Sequence, residues 1–147
     1  MFVPATTGVV LSLCKKDYVG LKQLAFSGVT SMTANYLLEV AIKKDRPDGT
    51  GSHAFPSTHT VAAFTCAAFL QRRYGWTWGA PAYALSTLVA WGRVYAKKHD
   101  IWDVMAGAAI GAGASYIYTR QLTKQTELII APVVITERPG IYISARF

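Results

Sequence analysis

Apolar and polar positions in this chain fall into long blocks separated by short breaker segments. The first block runs from about Asp17 to Lys44, with mostly apolar or small residues over Ala25–Ile42. The second runs from Ser57 to Arg73 around the apolar stretch Val61–Leu70. The third starts near Pro81, a residue favoured in a first helical turn, and continues to about Ala96. The fourth covers Asp100–Tyr118, where only Asp103 and Ser115 interrupt apolar and small residues. Such lengths and compositions predict helices, and they suit a bilayer core as well as a buried bundle. Between them, Arg46-Pro47-Asp48-Gly49-Thr50-Gly51 reads as a turn and loop, and Tyr74-Gly75 and Gly79-Ala80-Pro81 punctuate the second connection.

The ends differ from the middle. Residues 2–14 carry an apolar stretch without a preceding basic region, so they do not read as a signal peptide. Beyond residue 120, Ile141, Ile143, Ala145 and Phe147 alternate with Tyr142, Ser144 and Arg146, the period of a strand. Ile129–Ile135 is its expected partner, with Glu137-Arg138-Pro139-Gly140 as the turn. The fold class is therefore an all-α antiparallel bundle over residues 1–120, followed by a short C-terminal β-hairpin within residues 121–147.

Composition sharpens the picture. Of 147 residues 52% are hydrophobic and only 16% charged, against roughly 25% charged in soluble domains. The net charge of +7 comes largely from pairs flanking apolar blocks: Lys15-Lys16, Lys43-Lys44, Arg72-Arg73 and Lys97-Lys98. That placement fits a membrane boundary or an anionic substrate, and it argues against nucleic acid, which calls for a basic face interleaved with aromatic residues. Trp76, Trp78, Trp91 and Trp102 suit either an interfacial belt or core packing. Gly107, Gly111 and Ser115 repeat the four-residue spacing of small residues that lets two helices approach closely. Cys14 and Cys66 have no motif spacing and read as free thiols.

Three clusters carry residue types that are costly in an apolar bundle: Arg46-Pro47, preceded by Lys43 and Lys44; Phe55-Pro56-Ser57-Thr58-His59; and Arg93, His99 and Asp103. In an up-and-down bundle with short loops all three fall at one end. Arginine offers forked donors for phosphate oxygens, and a helix opening at Ser57 and Thr58 favours an anion. His99 and Asp103 stand four apart, on one helical face, so a carboxylate can take the proton of one ring nitrogen and leave the other nucleophilic. His59 can then protonate a leaving oxygen. These are the parts of phosphoryl transfer through a phosphohistidine, which needs neither metal nor cofactor.

The clusters resemble the three signature motifs of the type 2 phosphatidic acid phosphatase (PAP2) superfamily, K-x6-R-P, P-S-G-H and S-R-x5-H-x3-D. The resemblance covers about residues 25–118 and implies a PAP2-type bundle. It makes His99 the nucleophile, Asp103 its orienting partner and His59 the general acid, with Arg46, Arg93, Ser57 and Thr58 holding phosphate. Three positions depart from the pattern. Glu39 stands where the family has lysine, with Lys43 one turn on as the substitute cation; Thr58 replaces glycine; Gly92 replaces serine. The implied function is hydrolysis of a lipid phosphate monoester or diphosphate, of phospholipid or polyprenyl type. The alternatives are a soluble acid phosphatase of the same superfamily and a degenerate membrane protein that binds phospholipid headgroups. The expected partners are the lipid phosphate and a membrane. Lys15, Lys16, Lys22, Arg72, Arg73, Arg120 and Lys124 collect at the far end of the bundle, which places that end in the cytoplasm and the histidines on the outer or periplasmic side.

Overall fold

The computed structural model describes residues 3–47, 49, 54–122, 127–135 and 138–146. Among them the elements are, in order, α1 (Val3–Cys14), α2 (Tyr18–Ala41), α3 (Thr58–Tyr74), α4 (Trp76–Tyr95), α5 (Ile101–Tyr118), β1 (Glu127–Ile135) and β2 (Arg138–Arg146). The four expected helices are present, and α1 precedes them where the sequence shows only a short apolar stretch. α2 opens on Asp17, whose carboxylate accepts the Gly20 N–H at 2.8 Å. α4 begins at Trp76 rather than near Pro81. Gly75 adopts φ 88°, closes α3 by donating its N–H to Gln71 O, and lets the next helix start at once, leaving Pro81 inside α4. β1 and β2 pair antiparallel from Glu127↔Arg146 to Ile135↔Arg138, so Pro139 and Gly140 belong to a strand rather than to the turn. Glu137 and Phe147 lie outside the described residues.

α3 is the central helix and packs against α1, α2, α4 and α5. Val61, Ala67, Phe69 and Leu70 are almost wholly buried on it, joined by Leu24 of α2 and Ala82 of α4. The small-residue stripe of α5 lies on α3: a side chain at Gly107 would meet the Ser57 carbonyl at 3.0 Å, and one at Gly111 would collide with the Val61 carbonyl. One turn further, Ser115 Oγ donates to Thr65 O at 2.6 Å. Close backbone approach, not side-chain bulk, sets this interface.

The helices carry their polarity inverted. The buried face of α2 includes Gly20, Ser27, Ser31 and Asn35, and that of α5 Asp103, Gly107, Gly111 and Ser115. Val29 and Leu37 of α2, Leu88 and Trp91 of α4, and Trp102 and Ile117 of α5 point outward, 59–75% exposed. The four tryptophans are all exposed, which excludes core packing for them. Soluble monomers rarely carry an apolar surface of this extent. Among the described residues, however, no helix is long and apolar enough to cross a membrane. Serine, threonine, asparagine and glycine on the inner faces dilute the apolar character that each segment shows on its outer side.

Candidate active site

The end of α2, the start of α3, the end of α4 and the start of α5 meet at one end of the bundle, and backbone turns fix how they meet. Gly49 N–H donates to Arg46 O at 2.9 Å with φ 71° at the glycine, where a turn is expected, while Asp48, Thr50 and Gly51 of that segment lie outside the described residues. Ala54 N–H then returns to Lys44 O at 2.8 Å, and a cis peptide joins Phe55 to Pro56. After α4, Ala96 N–H reaches Gly92 O, Lys98 N–H reaches Arg93 O, and Lys97 takes φ 54° between them. This left-handed reversal is why five residues separate Arg93 from His99: the chain doubles back and returns His99 to the arginine's level.

His99 is 5% exposed, and its Nδ1 lies 2.7 Å from the carbonyl oxygen of Ala54. A carbonyl can only accept, so Nδ1 carries the proton and Nε2 keeps its lone pair. Asp103 Oδ2 stands 3.8 Å from the same nitrogen. The carboxylate expected to orient the imidazole is thus a charged neighbour, while a backbone carbonyl makes the bond. Burial pushes the His99 pKa below the ordinary 6.5, as do Arg93 and Arg46, against the opposing pull of the Ala54 bond and Asp103. The ring is neutral at neutral pH.

Asp103 is fully buried and occupied elsewhere. Its Oδ1 accepts from Lys44 Nζ at 2.6 Å, and its Oδ2 from the Asp100 N–H at 2.8 Å. Lys44 also reaches Asp100 Oδ2 at 2.9 Å. Burial disfavours the ammonium, but the two carboxylates outweigh it and raise the Lys44 pKa. Lys43 is exposed, so the cation that enters the cluster is the next residue along.

Arg46 and Arg93 are half-buried, and the Nε atom of each is buried with no hydrogen-bond partner. Both guanidiniums lie within electrostatic reach of both histidines. His59 is half-buried, and burial, then Arg93, His99 and Arg46, lower its pKa. Ser57 lies fully buried; its N–H donates to Asp103 O at 3.1 Å and its Oγ accepts from Thr60 Oγ1 at 3.1 Å. The Ser57 N–H is therefore committed to the protein. Thr58 is the first residue of α3 in ordinary helical backbone, so the site needs no positive φ there and a first-turn N–H remains available. Its Oγ1 accepts from Asn35 Nδ2 at 3.0 Å.

The structure thus gathers Arg46, His59, Arg93, His99 and Asp103 as expected. It adds Lys44, Asp100, Asn35 and the Ala54 carbonyl, which the sequence reading does not assign. Asp100 and Asp103 flank a helix start three residues apart, a capping spacing that could have flagged Asp100. A backbone carbonyl leaves no such signal.

Two neutral-leaning imidazoles, one with a free Nε2, stand beside two arginines with unanswered donors at the end of a helical bundle, an arrangement suited to phosphoryl transfer. The chain belongs to the PAP2 superfamily, whose family model matches residues 20–127. It is 33% identical to a lipid A 4'-phosphatase of Helicobacter pylori over 95% of this chain and 75% of that protein. It is 29% identical to a lipid A 1-phosphatase of Porphyromonas gingivalis over 65% of this chain, but spans only a quarter of that longer protein. The crystal structure of Aquifex aeolicus LpxE superimposes with a TM-score of 0.68 at 23% identity, covering 75% of this chain and 73% of that one, which shows a shared fold.

Proposed function

We propose that this PAP2-type phosphatase hydrolyses a lipid phosphate monoester by way of a phosphohistidine. The observation that carries the mechanism is the pair of buried, unpartnered Nε atoms of Arg46 and Arg93 beside a neutral His99. The arginines hold the phosphate oxygens, with the first-turn N–H of Thr58 adding to them. His99 Nε2 attacks phosphorus as the P–O ester bond breaks, and His59 gives its proton to the departing alkoxide. Water then attacks the phosphohistidine, returning its proton to His59 and releasing inorganic phosphate. Bound phosphate offsets the arginine charges that depress His59, so the acid gains its proton when substrate is present. Asp103, fixed by Lys44 and Asp100, steadies the positive charge that develops on His99.

The lipid A phosphatase relatives support a lipid substrate, and their two positional specificities leave the position on the lipid open. The outward Val, Leu, Ile and Trp side chains support association with a membrane. We place the active end on the outer side of that membrane, because Lys15, Lys16, Lys22, Arg72 and Arg120 collect at the opposite end. Arg73 no longer counts there, since Asp17 neutralises it at 2.6 Å, and Lys124 lies outside the described residues. Phosphate release from lipid A, a phosphatidate and a soluble aryl phosphate tests the reading. Turnover inhibited by vanadate and retained in EDTA is expected. Loss of activity in EDTA with recovery on adding Mg2+ would overturn the mechanism.

A further inference from the structure

An apolar crevice of about 190 Å³ lies between α1, α2 and α3, lined by none of the charged residues of the active site, and the phosphatase chemistry does not use it. Val9 of α1, Leu24, Gly28 and Met32 of α2, and Ala62 and Cys66 of α3 line it. Its two hydroxyls are engaged: Thr65 Oγ1 donates to Ser31 Oγ at 3.0 Å, and Ser31 Oγ bonds Gly28 O at 3.1 Å. The surface offered to an occupant is hydrocarbon.

The helical period sets where this crevice leads. On α2, residues 24, 28, 31 and 35 follow one stripe, and on α3 residues 66, 62 and 58 do the same. One turn beyond Met32 and Ala62, about 5.4 Å along the axes, comes the Asn35–Thr58 hydrogen bond, and His59 follows Thr58. Asn35 is 2% exposed, and its Oδ1 has no partner. A wall of hydrocarbon therefore runs up to a buried free acceptor and then to the cationic cluster. That sequence of surfaces complements one amphiphilic anion.

We propose that this crevice holds the upper part of one acyl chain of the lipid whose phosphate lies at Arg46 and Arg93, with Asn35 Oδ1 accepting a hydroxyl or amide proton at the chain's point of attachment. The proposal rests on the lipid phosphatase reading above. The volume is below the roughly 300–1,000 Å³ of a pocket for a whole small molecule, and suits a segment of one chain. From Thr58 to Cys66 the stripe extends about 12 Å. Gly28 lines the crevice and leaves it open: a Cβ built there would meet no atom within 4 Å.

That open space supplies the test. Gly28→Leu adds bulk at the crevice wall from a position whose Cβ meets nothing, and replaces a helical glycine by a better helix former. The ratio of kcat/KM on a long-chain lipid phosphate to that on an aryl phosphate should fall at least tenfold, and the loss should shrink as the chain is shortened. Gly113→Leu, on the exposed side of α5 with equally open surroundings, should leave the ratio unchanged. In the wild-type protein, a lipid phosphate with a photoreactive group in the upper acyl chain should label Met32, Ala62 or Cys66. An unchanged ratio in Gly28→Leu, label confined to other helices, or cross-linking between two protein copies overturns the assignment. Crevice labelling without turnover of either substrate would overturn the phosphatase reading and leave the chain site standing.

Discussion

Arginine Nε atoms are buried at both ends of this bundle, and the two ends use them in opposite ways. At the far end Arg73 is 6% exposed and its whole fork is engaged. Nε and Nη2 donate to Asp17 at 2.7 and 2.6 Å, and Nη1 to Arg120 O at 2.9 Å. Tyr74 OH adds a further bond to Asp17 at 2.9 Å, and Ser12 holds Tyr74 in turn. The Arg73 bonds draw the Asp17 pKa down to about 2. The group ties the α1–α2 junction, the end of α3 and the exit from α5 together. At the active end Arg46 and Arg93 keep buried Nε donors without an acceptor. A buried unsatisfied donor costs free energy, so a protein that leaves two of them near each other has built a place for an anion. Partner satisfaction, more than charge, separates the arginine that ties the fold together from the two proposed to hold phosphate.

The largest effect expected at the active end comes from His99→Ala, which should take phosphate release to background while leaving the far-end network and the fold intact. Activity within tenfold of the parent would overturn the nucleophile assignment.

The arginines themselves give the sharpest contrast. Arg93→Met should lower kcat/KM by about 10²–10³, the scale of a lost transition-state donor, with little loss in urea stability. Arg73→Met strands the buried Asp17 carboxylate and should cost about 3–5 kcal/mol in urea unfolding, with vanadate still bound by the folded fraction. Equal loss of stability in both variants would erase the distinction between the two ends.

Smaller effects separate the lysines. Lys44→Met frees Asp103 and should lower kcat/KM by roughly ten- to a hundredfold, the scale on which a lost orienting partner is felt. Lys43→Ala, altering an exposed side chain, should stay within about twofold. The reverse order would restore Lys43 as the cation of the site.

The smallest signals lie in pH dependence, and the two ends again differ. As the proposed nucleophile His99 must be neutral, and its pKa is lowered, so the acid limb of kcat/KM should fall below pH 6.5. Asp17 has a lowered folded-state pKa, so its stabilisation is fully present above its ordinary 3.8 and is lost as pH falls toward about 2. Urea midpoints in Asp17→Asn should lose that acid dependence while the kinetic limb stays in place.

Much of this site is legible from the sequence because its spacing is geometric. His99 and Asp103 share a helical face, and short connections force Arg46, His59 and Arg93 to the same end. What stays hidden depends on details that pattern cannot carry. Lys43 and Lys44 are equivalent by type, and only the direction in which the chain leaves α2 selects Lys44. Ser57 looks like a phosphate donor until the Asp103 carbonyl takes its N–H. Pro81 suggests a helix start because the sequence does not reveal that Gly75 has already reset the backbone. Small residues on α5 are readable as a contact stripe, but not that the partner would be α3 and its carbonyls.

The bond from His99 to the Ala54 carbonyl has an evolutionary consequence. An orienting carboxylate is erased by one codon change, and its loss leaves the imidazole free to take the wrong tautomer. A main-chain oxygen belongs to every possible amino acid at position 54, so substitution there cannot delete it. Drift can reach it only by displacing the backbone from Ala54 to Ser57, which the Ala54–Lys44 and Ser57–Asp103 bonds pin at either end. The protonation pattern of His99 is thereby inherited through the path of the chain, and the side chains along that path remain open to variation.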